Sequence, residues 1–193
     1  MTCAPALAHF PIPPKPGATG RRVVEKPVEN FTLNDQNGRR FQLADARGKI
    51  LAVTFVYTRC PDVCPLFTAK FAAIQRTLES REPKHPIEYL LLTVTTDPEY
   101  DSPTQLKSYA DLFKPNYADW LFLTGTKIAL ERVWKNFGVN VRKSGDGQIQ
   151  HTALTTLIDR RGVRRVDYYG DQWHEKELVR DLLSLAQRDL PAD

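Results

Sequence analysis

Cys60 and Cys64 stand in the stretch FVYTRCPDVCP (residues 55–65), with three residues between them and a proline after each. An apolar, β-branched run leads straight into the pair. Pro65 disfavours helical backbone at Cys64 and itself suits the first turn of a helix. The spacing therefore places Cys64 at a helix N-cap and Cys60 on the loop between strand and helix. Exposed amides and the positive end of the helix dipole then face both sulfurs. Such a setting favours thiolate, which is both the nucleophile and the metal ligand, and neighbouring Arg59 adds to the effect.

Several chemistries compete for this pair. Two cysteines buried in a core by chance would sit mid-strand or mid-helix, without flanking prolines. A structural zinc site needs four ligands, and no second Cys or His pair stands at the right spacing. A thioredoxin-type redox motif has two intervening residues rather than three. The wider spacing still allows the Cα separation of roughly 4.4–6.8 Å that a disulfide tolerates, so redox chemistry stays open.

Of the four histidines, His9 lies in the tail, His85 in the loop REPKHP and His174 at the start of the last helix. His151 differs: it ends the snippet QIQH and immediately precedes the strand-like TALTTLID. In a thioredoxin-like arrangement the loop entering that strand lies beside the active-site helix, opposite the two cysteines. Two thiolates and an imidazole suit copper, and Cu(I) in particular. With both thiols ionised the site is neutral around Cu(II) and singly negative around Cu(I), so it can hold either state.

The elements that must position these groups are visible as patterns. FTLNDQNGRRFQL alternates about Asn37-Gly38 and predicts an N-terminal β-hairpin. KILAVTFVYT (49–58) and IEYLLLTVT (87–95) read as strands covered on both faces. Phe67, Phe71, Ile74 and Leu78 fall at helical spacing and predict a helix over 66–81. SPTQLKSYADLF (102–113) predicts a second helix, with Ser102 as N-cap and Pro103 behind it. WLFLTG (120–125) reads as a strand, and TKIALERVWKNFG (126–138) as a helix closed by Gly138. VNV (139–141) and QIQ (148–150) flank a turn, TALTTLID and VRRVDYYG pair across Arg161-Gly162, and residues 174–189 form a closing helix. The sum is an α/β fold with a central mixed sheet flanked by helices.

The chain has 193 residues, 41% hydrophobic and 26% charged, which suits one soluble domain with a tail. A net charge of +4, from 27 basic and 23 acidic residues, is too small and dispersed to argue for nucleic acid. The densest basic patch, Arg160, Arg161, Arg164 and Arg165, reads as a solvated hairpin tip, with an acidic protein partner as the alternative. Five prolines fall in the first seventeen residues, so residues 1–27 are expected to be an extended tail and 28–190 the domain. Cys3 reads either as a stray thiol or as a former lipid attachment site. No basic n-region precedes an apolar core at the N-terminus, and no run approaches the ~18 apolar residues of a membrane span.

These residues resemble the Sco/SenC proteins, copper-binding thioredoxin-like assembly factors for cytochrome c oxidase. FVYTRCPDVCP is similar to that family's Cys-x-x-x-Cys-Pro motif, and TTDPEYDSPTQLKSYADLF (95–113) to its aspartate-proline segment. HTALTTLIDRRG is similar to its distal histidine region, and YYGDQW (168–173) to a C-terminal feature. The resemblance spans roughly residues 28–190 and implies a thioredoxin-like fold with Cys60, Cys64 and His151 as ligands of Cu(I), Cu(II) or both. Asp62 matches the motif, and Asp97 is implied either as a brace of the site or as a turn former. The resemblance also implies a monomer in the periplasm or on a membrane facing an oxidising compartment, with a copper-accepting oxidase subunit, or another copper protein, as partner. Two functions follow: a metallochaperone delivering copper, or a thiol-disulfide reductase keeping the partner's copper-site cysteines reduced. Peroxide reduction is a weaker third.

Overall fold

Ten strands and four α-helices follow one another in the computed structural model, which describes residues 20–81, 87–145 and 147–188. The first half runs β1 (Gly20–Pro27), β2 (Thr32–Asn34), β3 (Arg40–Gln42), β4 (Ile50–Val56), α1 (Val63–Glu79), β5 (Tyr89–Thr95) and α2 (Pro103–Asp111). The second half runs β6 (Trp120–Leu123), α3 (Lys127–Phe137), β7 (Val141–Lys143), β8 (Ile149–His151), β9 (Leu154–Ile158), β10 (Val163–Tyr169) and α4 (Glu175–Arg188). A single 3-10 turn, Leu43–Ala46, joins β3 to β4.

Six strands form the central sheet in the order β1-β10-β9-β4-β5-β6. β4, β5 and β6 are parallel to one another, whereas β9, β10 and β1 add antiparallel. Every residue of β4 and β5 is buried, because both faces of the sheet are covered. Ile50, Ala52 and Val56 of β4 pack with Phe67, Phe71 and Ile74 of α1 and with Leu178 and Leu182 of α4. Their neighbours Leu51, Val53 and Phe55 point to the other face, against Leu130, Val133 and Phe137 of α3 and Leu33 and Phe41 of the β2–β3 hairpin. The period-two alternation of a strand divides one continuous apolar run between two cores.

The helices start and stop where their sequence signals stand. The Ser102 and Thr126 side chains accept from the Gln105 and Ala129 amides at the starts of α2 and α3. Gly138 ends α3 in the left-handed conformation.

Both margins of the sheet are guarded. On one side β1 is mostly exposed and pairs with β10 through an irregular register between Val23 and Lys26. On the other side Asn34 exchanges two backbone hydrogen bonds with Thr124, at 2.7 and 2.8 Å, and the Gln36 side chain accepts from the Phe122 amide at 3.0 Å. The β2–β3 hairpin thus seals the open edge of β6.

Two expectations need correction. Residues 20–27, assigned to the tail, are a strand of the sheet, so the ordered domain extends at least to Gly20. GRRVVEKP carries no apolar alternation; β1 is held by ladder bonds and by ion pairs from Arg21 to Asp181 (2.5 Å) and from Glu25 to Arg165 (3.0 Å). The arginine-rich hairpin is also not a solvated tip throughout. Arg164 is buried, donates to Asp167 and reaches the Phe137 carbonyl, and Arg165 binds the buried Asp159. Arg160 donates to the carbonyls of Gly48 and Ala186. Only Arg161, 71% exposed along its side chain, fits the reading as drawn. The remaining residues of the tail, with His9 and Cys3, and His85 lie outside the described residues.

Candidate functional site

β4 ends at Val56, and the next few residues cross the end of the sheet before α1 begins. The Thr96 amide donates to the Val56 carbonyl at 2.8 Å, and the Cys60 amide to the Tyr57 carbonyl at 3.2 Å. The loop is braced from below by Asp101, a fully buried carboxylate that the sequence reading passed over. It accepts from the Thr58 amide (3.2 Å), the Thr58 hydroxyl (2.5 Å) and the Thr95 hydroxyl (2.5 Å). Burial pushes its carboxyl above the ordinary range, although the threonine donors oppose this. TTDPEYDS offers two aspartates, both buried, and only their partners separate Asp97, paired with Arg59, from Asp101, held by threonines.

Helix α1 starts earlier than the prolines suggested. Asp62, not Cys64, is its N-cap, and Cys64 is the second helical residue. Pro65 then occupies the third position, where an amide has no intrahelical partner to lose. The Asp62 side chain makes no capping bond; its backbone amide instead supports the Cys60 sulfur.

Cys60 and Cys64 are both buried and not joined to one another, and their environments differ. The Cys64 thiol hydrogen-bonds to Cys60, which with the amides of Asp62 and Cys64 and the Tyr57 hydroxyl lowers the Cys60 pKa to about 6. Burial opposes that shift without cancelling it. Cys64, with no exposed surface, is pushed up by burial and by holding its proton toward Cys60. The helix end thus does not act on both sulfurs alike: Cys60 is pushed toward thiolate and Cys64 toward thiol. Arg59 is not aimed at the sulfurs either. Its guanidinium donates to Asp97 at 2.6 Å and lies 4.2 Å from the centre of the Tyr100 ring. Asp97 thus ties the cysteine loop to the β5–α2 loop, and its own carbonyl also accepts from the Tyr100 and Asp101 amides in a tight turn.

His151 ends β8 and is buried. Its Nδ1 lies 3.1 Å from the Thr152 carbonyl, which must accept a proton from it, so Nε2 presents its lone pair. That Nε2 stands 3.9 Å from the Cys64 sulfur. The structure thereby brings Cys60, Cys64 and His151 together, from the loop after β4, from α1 and from β8. The three are gathered around shared protons: among the described residues no trio of Cys, His, Asp or Glu is already spaced as a metal cage. His174, by contrast, is exposed at the start of α4.

Behind α1, Lys70 anchors the YYGDQW segment. Its ammonium donates to the carbonyls of Asp171 and Trp173 and sits 4.5 Å from the Trp173 ring centre. Trp173 in turn stacks on Phe67, one turn after Cys64. A lysine in the apolar stripe of α1 gives no sign of this in sequence, because a snorkelling surface lysine reads the same.

Residues 20–187 match the family described as SCO1/SenC. A SCO1/SenC family lipoprotein from Bacillus anthracis is 27% identical, with a TM-score of 0.78 over 86% of this chain and 98% of that one. BsSco, described as a member of the Sco family of cytochrome c oxidase assembly proteins and as having a disulfide switch, is 27% identical. Its TM-score is 0.74 over 86% of this chain and 96% of the other. Yeast Sco1 with copper bound is 31% identical, with a TM-score of 0.71 over 86% and 92% of the two chains. The fold is thus the thioredoxin-like one of the Sco proteins, and no helix among the described residues is long and apolar enough to cross a membrane. With residues 20–187 matching the family and the fold shared over most of its length with these proteins, the chain belongs to the SCO1/SenC family.

Proposed function

We propose that this protein binds one copper ion through Cys60, Cys64 and His151 and delivers it to a copper-accepting subunit during cytochrome c oxidase assembly. The observation that carries the reading is the meeting of a sulfur pair with the His151 imidazole, whose Nε2 lies 3.9 Å from the Cys64 sulfur. Soft sulfur donors select copper, and two of them with one nitrogen satisfy the low coordination of Cu(I). Cys60 needs to lose little, because it is already largely thiolate at neutral pH. Cys64 must release the proton it shares, so loading releases about one proton per ion at pH 7. The family relatives with copper bound or named for oxidase assembly support copper as the cargo. The lipoprotein relative supports a membrane-attached, extracytoplasmic setting.

The test is an anaerobic copper titration of the fully reduced protein against a competing chelator. One tightly held equivalent, with a sulfur-to-copper charge-transfer band on adding Cu(II), is the expected outcome. Weak binding with oxidation of the two thiols would overturn it.

A second reading, a thiol-disulfide reductase, draws on the inequality of the two sulfurs. A low-pKa thiolate beside a buried thiol is the arrangement of an attacking and a resolving cysteine. Cys60 would attack a partner disulfide and release one partner thiolate. Cys64, losing its proton, would then attack the Cys60 sulfur and release the second. One partner disulfide is reduced for each Cys60–Cys64 disulfide formed, and His151 has no part in it.

A further inference from the structure

The β7–β8 hairpin that carries His151 forms its own two-stranded sheet and, among the described residues, makes no ladder bonds with the central six strands. Side chains must therefore hold it in place. At its base Asn140 and Thr152 exchange bonds, with the Asn140 amide donating to the Thr152 hydroxyl (3.1 Å) and the Thr152 amide to the Asn140 carbonyl (3.0 Å). On its exposed side Lys143 reaches Glu99 at 2.8 Å.

The buried side is held by Tyr57, three residues before Cys60. The Ser144 amide donates to the Gln148 carbonyl at 2.8 Å, so the next pair, Lys143 and Ile149, is a non-hydrogen-bonded one. The Ile149 amide consequently points away from β7, and it donates to the Tyr57 phenol oxygen. The Tyr57 hydroxyl in turn donates to the Cys60 sulfur. Its ring meets the His151 imidazole nearly edge-on, with centroids 6.2 Å apart and planes at 83°. Tyr57 is 3% exposed, so water does not compete for these bonds.

We propose that Tyr57 is the positioning residue that fixes His151 over the cysteines, its hydroxyl linking the Ile149 amide to the Cys60 sulfur and its ring bracing the imidazole. The proposal rests on the Cys60, Cys64 and His151 reading only for its consequence in copper binding; the link itself is independent of any metal. Removing the hydroxyl while keeping the ring should loosen the hairpin about tenfold.

The experiment is amide hydrogen exchange on the reduced, metal-free protein and its Tyr57→Phe variant. Exchange at Ile149 and its neighbours in β8 is expected to quicken about tenfold, with β4 and β5 unchanged. Copper alone should then bind about tenfold more weakly, with a shifted Cu(II) charge-transfer band, an effect general loosening elsewhere would not produce. Ile149 exchange within about twofold of the wild type would overturn the proposal. In wild-type protein, the Tyr57 phenol carbon should move in the NMR spectrum when Cys60 is capped with iodoacetamide as a stable thioether; an unmoved signal would also overturn it. If His151→Ala leaves copper affinity intact while Tyr57→Phe still frees Ile149, the ligand assignment falls and the tyrosine link stands.

Discussion

The β7–β8 and β9–β10 hairpins are successive in the chain and opposite in character. The second lies within the central sheet, its strands paired on both sides. Its basic residues are locked to Asp159, Asp167 and backbone carbonyls. The first stands off the sheet, and side-chain bonds from Tyr57, Glu99 and Thr152 hold it in place. The conspicuous charge cluster belongs to the hairpin inside the central sheet, and the candidate ligand to the one outside it.

The sharpest way to break this contrast is to cut the β10 network. Asp167→Ala leaves the buried Arg164 guanidinium without its carboxylate and should cost about 3–5 kcal/mol of unfolding free energy, measured by denaturant titration, with copper affinity unchanged in the folded fraction. A loss below about 1 kcal/mol would mean that this hairpin is held as lightly as its neighbour. Next in size is His151→Ala, expected to lower copper affinity by about two orders of magnitude while dithiol oxidation proceeds as before. Unchanged affinity in the competition assay would remove β8 from the site.

The two sulfurs offer a third test. The Cys60 pKa, depressed to about 6, lies below the ordinary thiol value of about 8.5. Alkylation of reduced protein should therefore modify Cys60 first, with a rate that rises through pH 6, leaving Cys64 intact. A thiol depressed by folding contributes stability that is complete above its unfolded value and lost as pH falls through its folded one. The Cys60 contribution should thus grow from pH 6 to pH 8.5, read against a Cys60→Ser control. A rate midpoint near 8.5, or equal labelling of both cysteines, would erase the inequality. The smallest effect is expected from Lys143→Met, which removes an exposed tie between the hairpin and Glu99. It should leave the melting temperature unchanged and raise β7 exchange slightly, a result that would place the weight of the hairpin on Tyr57.

Much of this was legible in the chain because local signals and tertiary demands agree. The stripe Phe67, Phe71, Ile74 and Leu78 is the buried face of α1, and Ser102 caps α2 as its place before Pro103 suggests. The cysteine loop falls at the end of a strand, and His151 comes to it from a separate hairpin. What stayed hidden depends on depth and direction rather than on residue type. β1 is exposed and shows no period. Tyr57 reads as one more apolar residue of a strand until its hydroxyl is given neighbours. Arg59, adjacent to Cys60 in sequence, turns to Asp97, and the inequality of the cysteines comes from burial that no spacing reveals.

The two guarded margins of the sheet bear on how this molecule meets others. A row of unpaired strand groups is a template for adding a foreign strand, and hence for fibril growth or exchange of segments between copies. Here one margin is spent on the hairpin around Asn34 and Gln36, and the other ends in a bulged, charge-rich strand closed by Pro27. Strand addition is thereby disfavoured at both flanks, away from the loop end where Cys60 and Cys64 lie buried.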